Sequence, residues 1–186
     1  MINYGELPVL AESDVVVCGG GTAGVFAAVA AAEQGARVLL LEQTGCVGGT
    51  AVAGLVTPMM SLRLPEDVHR SYLSRRMGTE RNNDPLVLGW KLERICVKAG
   101  VEILYHVTLC GAVRGREQIL EVILATKQGL ARVQGQVFID ASGDGDLCVF
   151  AGAEYDHGQV SLCLGGQFHV FLHLAEVSSD EVGYEP

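Results

Sequence analysis

Apolar positions along this chain recur at two periods, and the switches between them outline its elements. Asp14-Val15-Val16-Val17-Cys18 is a short apolar run of the kind a buried parallel strand presents. Val25 to Gln34 is an Ala-rich helical stretch, Gly35-Ala36 breaks it, and Arg37 to Leu41 is a second strand ending on Glu42. Glu66 to Met77 carries Val68, Tyr72, Leu73 and Met77 on a rough helical face. Asp84-Pro85 reads as an N-cap followed by proline at the first helical position. Leu88, Leu92, Ile95, Cys96 and Ala99 then recur at helical spacing up to Gly100, which predicts a helix over 84–99. Trp90 and Tyr72 read as helical core positions. Val101 to Tyr105 is a third short strand. Val107–Val113, Ile119–Thr126 and Leu130–Val133, separated by polar turns, predict an antiparallel three-stranded meander. Val137 to Asp140 reads as a fourth core strand, and Leu147 to Ala153 opens another helix.

The chemistry-bearing motif sits between the first strand and the first helix. Gly19-Gly20-Gly21-Thr22-Ala23-Gly24 fits G-x-G-x-x-G, a phosphate-binding pattern that is weak alone and strong in a strand–helix–strand setting. Gly19 allows a sharp turn out of the strand, Gly21 removes a Cβ that would block a pyrophosphate, and Gly24 lets the helix lie close to the sheet. The helix start then offers unpaired N–H groups and the positive end of its dipole to the phosphates. Glu42, 18 residues beyond Gly24, is placed to meet the hydroxyls of an adenosine ribose. A second glycine-bearing loop follows at once, with Gly45, Gly48, Gly49 and Gly54.

Composition narrows the class. The chain has 186 residues, 49% of them hydrophobic and 19% charged, as in a compact domain with a sizeable core. A formal net charge of −9, with no basic run longer than Arg75-Arg76, argues against nucleic acid and anionic membrane surfaces as partners. Val15 to Ala32 is 18 residues without a charge, but its three consecutive glycines split it into a strand and a helix rather than a membrane span. The six cysteines form no C-x-x-C pair, which points to free thiols in a reducing cytosol, and the N-terminus lacks a signal-peptide pattern. His169 and His173 are four apart, yet no carboxylate pattern completes a metal site. No G-x-S-x-G elbow is present.

The fingerprint, the second Gly-Gly loop, the meander and a strand running into Ala141-Ser142-Gly143-Asp144-Gly145-Asp146 together resemble the glutathione-reductase-like FAD-binding fold. Within it, the chain is similar to the FAD-dependent oxidoreductases that begin with an Asp-Val-Val-Val-x-Gly-Gly-Gly run, over roughly residues 7–158. The resemblance implies an α/β fold, a Rossmann-like parallel sheet of the three-layer type with an antiparallel β-meander. It implies that Gly19, Gly21 and Gly24 approach the FAD pyrophosphate, with Thr22 and Ala23 donating backbone N–H groups. Glu42 would hold the adenosine ribose with Gln43 beside it, and Gly48, Gly49 and Thr50 would wrap the ribityl and phosphate region. Main chain near Leu109 would meet the adenine. Ala141, Ser142 and Gly143 match the family's Ala-Thr-Gly turn, whose backbone returns to the cofactor. Asp144 and Asp146 follow, either as cofactor-side hydrogen-bonding groups or as caps of the next helix.

The departures carry information too. Disulfide reductases of this fold place two redox cysteines just after Gly-Gly-Thr, where this chain has Ala51 and Val56, so dithiol chemistry through that motif is excluded. Cys46, a lone thiol near the phosphate loop, reads either as a packed bystander or as a reactive group. Family members extend well beyond this length. The expected organisation is therefore an FAD-binding domain over 1–158, with a helical insert at about 65–99 and a meander at about 107–134, and an incomplete extension over 159–186. The expected function is the FAD-binding portion of a cytoplasmic flavin-dependent oxidoreductase acting on a small-molecule substrate. A second subunit or a missing C-terminal region would complete the flavin site. The alternatives are a non-catalytic remnant or accessory subunit of a split flavoenzyme, and an NAD-binding dehydrogenase domain.

Overall fold

A computed structural model describes residues 6–56 and 84–156, together with the backbone of 171–172. The helical face read at 66–77 and the histidines His169 and His173 lie outside the described residues. Strand β1 (Val9–Cys18) leads through the glycine loop into helix α1 (Thr22–Glu33) and returns as β2 (Val38–Leu41). A short 3-10 turn, Gly49–Ala51, precedes helix α2 (Pro85–Ala99) and strand β3 (Glu102–Leu104). Strands β4 (Thr108–Arg114), β5 (Ile119–Thr126) and β6 (Gly129–Asp140) follow, then helix α3 (Asp146–Phe150). The two-residue strands β7 (Tyr155–Asp156) and β8 (Phe171–Leu172) pair antiparallel.

The main sheet has the order β3-β2-β1-β6-β5-β4. Its β3, β2, β1 and β6 members run parallel, whereas β4, β5 and β6 pair antiparallel. This is the parallel sheet with an attached meander that the pattern predicts. One detail differs. Leu130–Val133 and Val137–Asp140 are not two strands but halves of the single strand β6. Its first half pairs with β5 at residues 129–134, and its second half continues along β1 as far as Asp140 opposite Cys18. The polar interruption between them is tolerated because Gln134 Nε2 donates to Glu121 at 2.6 Å. Gly135, meanwhile, leaves room for Val16 and Phe138, which would crowd a Cβ at 2.8 and 3.0 Å.

Two cores flank the parallel sheet, one on each face, as alternating strand side chains require. On one face Val17, Val38 and Leu40 pack with Val25, Ala28 and Val29 of α1 and Leu92 and Cys96 of α2. On the other, Val16, Cys18, Leu39 and Leu41 pack with Val122, Leu124 and Val133 of the meander and Leu147 of α3. Asp84 caps α2 through Oδ1, which accepts Leu86 N at 2.9 Å, and Gly100 ends the helix in the left-handed region at φ 82°. Trp90 corrects the sequence reading. It is 55% exposed, with the Arg94 guanidinium 4.7 Å from its ring centroid, instead of lying in the core. Among the described residues, no helix is long and apolar enough to cross a membrane.

Candidate functional site

Three segments converge where β1, β2 and β6 end, the usual ligand crevice of such sheets. The first is the loop from β1 to α1. Gly19 adopts φ +105°, which a side chain would resist, and a Cβ there would come within 2.3 Å of the Ala141 carbonyl oxygen. A Cβ on Gly24 would meet the Gly19 carbonyl oxygen at 1.8 Å, so Gly24 is buried beneath the loop and lets the helix nest against it. Gly21 is different: a Cβ there would meet nothing within 4 Å, because this position opens onto the cleft. Gly21 is also the N-cap of α1, and no side chain caps the helix. The amides of its first turn, at Thr22 and Ala23, therefore face the cleft along with the positive end of the helix dipole.

The second segment runs from Glu42 to Gly54. Glu42 is 5% exposed, and its carboxylate ties two loops together. Oε2 accepts the Gly20 N–H at 2.9 Å, and Oε1 accepts the Thr44 N–H at 2.6 Å. A carboxylate has about four acceptor positions, so two stay available for hydroxyl donors. Gly48 N donates to Gly20 O at 2.7 Å, which zips the second glycine loop onto the first. Thr44 Oγ1 donates to Cys46 O at 2.8 Å, and Cys46 packs partly buried against the helix-side core.

The third segment is the turn Ala141–Asp146. Asp140, at the end of β6, organises it. Its Oδ1 accepts both N and Oγ of Ser142, at 3.1 and 2.7 Å, and its Oδ2 accepts Cys148 N at 2.9 Å. Ser142 Oγ in turn accepts Asp146 N at 2.9 Å. Burial works against the Asp140 charge, yet the hydrogen bonds from Ser142 and Cys148 outweigh it and hold the carboxyl below its ordinary range. Burial, with the Asp140 charge second, pushes the neighbouring Cys18 thiol up to about 12. Asp146 is shifted upward by burial and then by Asp144 and Asp140. Neither Asp144 nor Asp146 caps α3: Gly145 occupies the N-cap position, and the first-turn amides of Asp146 and Cys148 go to Ser142 and Asp140 instead. That removes the capping alternative for both.

These segments, with Val107–Leu109 at the start of β4, enclose an open cleft of about 720 Å³. Of the positions singled out from the sequence, Gly19, Gly21, Thr22, Ala23, Glu42, Gln43, Gly48, Gly49, Thr50, Leu109, Ala141, Ser142, Gly143 and Asp144 line it. Gly24 does not, and its role is packing rather than approach to a ligand. Sequence reasoning missed Gly20 and Thr44, whose amides brace Glu42, and Asp140, which shapes the third wall. An Asp two residues before a Ser at a strand end was the available signal for the last. Among the described residues, no group of three or more His, Cys, Asp or Glu side chains could hold a metal ion.

A model of the FAD dependent oxidoreductase family matches residues 14–184. The chain belongs to that family. It is 30% identical over 157 residues to a thiamine thiazole synthase of Aeropyrum pernix, covering 75% of this chain and 58% of the relative. To a dihydrolipoamide dehydrogenase of Chaetomium thermophilum it is 27% identical over 157 residues, covering 78% and 31%. The chain thus spans between about a third and three fifths of these relatives. Among solved structures, THI4 of Thermovibrio ammonificans superposes with a TM-score of 0.59 at 19% identity, over 77% of this chain and 64% of that one. L-proline dehydrogenase from P. horikoshii does so with a TM-score of 0.58 at 15% identity, over 81% and 59%. At those identities the superpositions speak for the Rossmann-like α/β fold. FAD is the cofactor of this family, and the cleft fits it on its own geometry. The uncapped helix start offers amides to a diphosphate, Gly21 leaves the approach open, and Glu42 keeps acceptor capacity for a sugar.

Proposed function

We propose that this chain is the FAD-binding portion of a flavin-dependent oxidoreductase whose complete form acts on a small organic substrate. One observation carries the reading: an uncapped helix N-terminus and a Cβ-free approach at Gly21 face a cleft that the buried Glu42, held against the Gly20 amide, also lines. Gly19 and Gly21 let main chain approach the pyrophosphate, and the amides of Thr22 and Ala23 donate to it. Glu42, preset by Gly20 and Thr44, accepts from the adenosine ribose hydroxyls, with Gln43 beside it. Gly48, Gly49 and Thr50 wrap the ribityl and phosphate region, and the main chain near Leu109 lies against the adenine. Ala141, Ser142 and Gly143 bring backbone to the cofactor beside the glycine loop, with Asp144 following on the same cleft lining.

When bound, FAD supplies hydride or electron transfer, and the protein's part is to bind, orient and exclude water. The working site is completed by a second subunit or by a further C-terminal region. The net charge of −9 and the free thiols of the described cysteines support a reducing cytoplasmic setting without a nucleic-acid partner. The test is a titration of the purified chain with FAD and, separately, with NAD, followed by flavin fluorescence and by competition. Saturable FAD binding that NAD does not displace is expected. No affinity for FAD, or a preference for NAD, would overturn the reading.

A further inference from the structure

We infer that the Asp140–Ser142 pair is a positioning element for the cofactor, which acts by holding the wall that adjoins the glycine loop without giving a side-chain proton to the ligand. The inference rests on the FAD-binding reading and deepens it. Asp140 and Cys18 are register partners at the ends of β6 and β1, so the chain leaves both strands at the same level. From there Ala141 N donates to Cys18 O at 2.8 Å, and the Ala141 carbonyl lies against Gly19 so closely that a Cβ would not fit between them. A displacement of the 141–146 turn would therefore be felt at the first residue of the phosphate loop. Four hydrogen bonds hold that turn. Asp140 accepts three of them, from Ser142 N, Ser142 Oγ and Cys148 N. The Ser142 hydroxyl gives its single proton to Asp140 and accepts the fourth from Asp146 N.

The side-chain chemistry is specific. Every group facing Asp140 in this network is a donor, so a carboxylate satisfies it and an amide does not: an Asn at 140 would turn an NH2 toward one of those donors. The hydroxyl at 142 must donate and accept at once, which Ser and Thr can do and Ala cannot. The Ser142 proton is thus committed to the protein, and the donor this residue offers a ligand is not its hydroxyl.

The experiment measures FAD affinity by fluorescence titration for the full chain and for Asp140→Asn, Ser142→Ala and Ser142→Thr, with each fold checked by circular dichroism and melting. Both Asp140→Asn and Ser142→Ala should weaken FAD binding by about tenfold or more, the loss expected for a hydrogen bond to a charged group. Ser142→Thr should restore it. Hydrogen exchange on the cofactor-free proteins should show the Cys148 and Asp146 amides protected in the parent and faster in the two disruptive variants. This arm remains readable on the Ser142 pair even where Asp140→Asn does not fold. A Ser142→Ala variant that binds FAD like the parent, or a Ser142→Thr variant as weak as Ser142→Ala, would overturn the inference. A parent chain with no affinity for FAD would instead overturn the reading beneath it.

Discussion

Two adjoining walls of the cleft are built by opposite means. The loop Gly19–Ala23 is shaped by removing side chains: a turn at positive φ, an open face at Gly21 and a helix start left uncapped. The turn Ala141–Asp146 is shaped by adding them, through a carboxylate and a hydroxyl that consume four backbone and side-chain donors. Glu42 stands between these styles, as a side chain whose two oxygens already serve main-chain amides. A surface that must touch a diphosphate cannot carry a Cβ at the point of contact. A surface that must only hold its place can be locked by whatever lies behind it.

This contrast can be sharpened by substitution. Within the glycine loop the largest effect belongs to Gly24→Ala, since the added carbon would sit 1.8 Å from a backbone oxygen that cannot step aside. Loss of about 3 kcal/mol or more of stability is expected, and chemical denaturation measures it. Glu42→Ala comes next. It should weaken FAD binding by about 1–3 kcal/mol and also lower the melting temperature of the cofactor-free chain, because the Gly20 and Thr44 amides lose their acceptor. An unchanged affinity would contradict the ribose role. The smallest effect is chemical. Burial raises the Cys18 thiol to about 12 and the Cys96 thiol to about 11, with Asp140 and Glu93 as the lesser causes. Alkylation of the native protein near neutral pH should spare both and, among the described cysteines, modify the exposed Cys110 first, as peptide mapping would report.

The first wall was legible in the chain because glycine spacing, an apolar strand and an acid after the next strand all describe local backbone requirements. The helix over 84–99 was legible for a similar reason: its Asp cap, its proline and its terminal glycine each act on their own neighbours. The second wall was not, because the Ala-Ser-Gly run marks the position but the bonds that shape it come from Asp140 before it and Cys148 after it. Two further misreadings share a cause. Leu86, Trp90 and Val97 recur along α2 at the same period as Leu92 and Cys96, so periodicity alone cannot say which apolar face meets the sheet. Gln134-Gly135-Gln136 looks like a break in a strand. It is instead the point where β6 leaves an antiparallel neighbour while keeping a parallel one, and partners distant in sequence make that tolerable.

Calorimetry of FAD binding to the parent chain and to Gly21→Val addresses the central claim most directly. A Cβ at 21 would meet no protein atom within 4 Å, so the variant should stay folded and lose at most about 1 kcal/mol from its poorer N-cap. The account predicts saturable heat with the parent and none with the equally folded variant. Equal affinity in the two proteins would mean that the diphosphate does not lie on this loop.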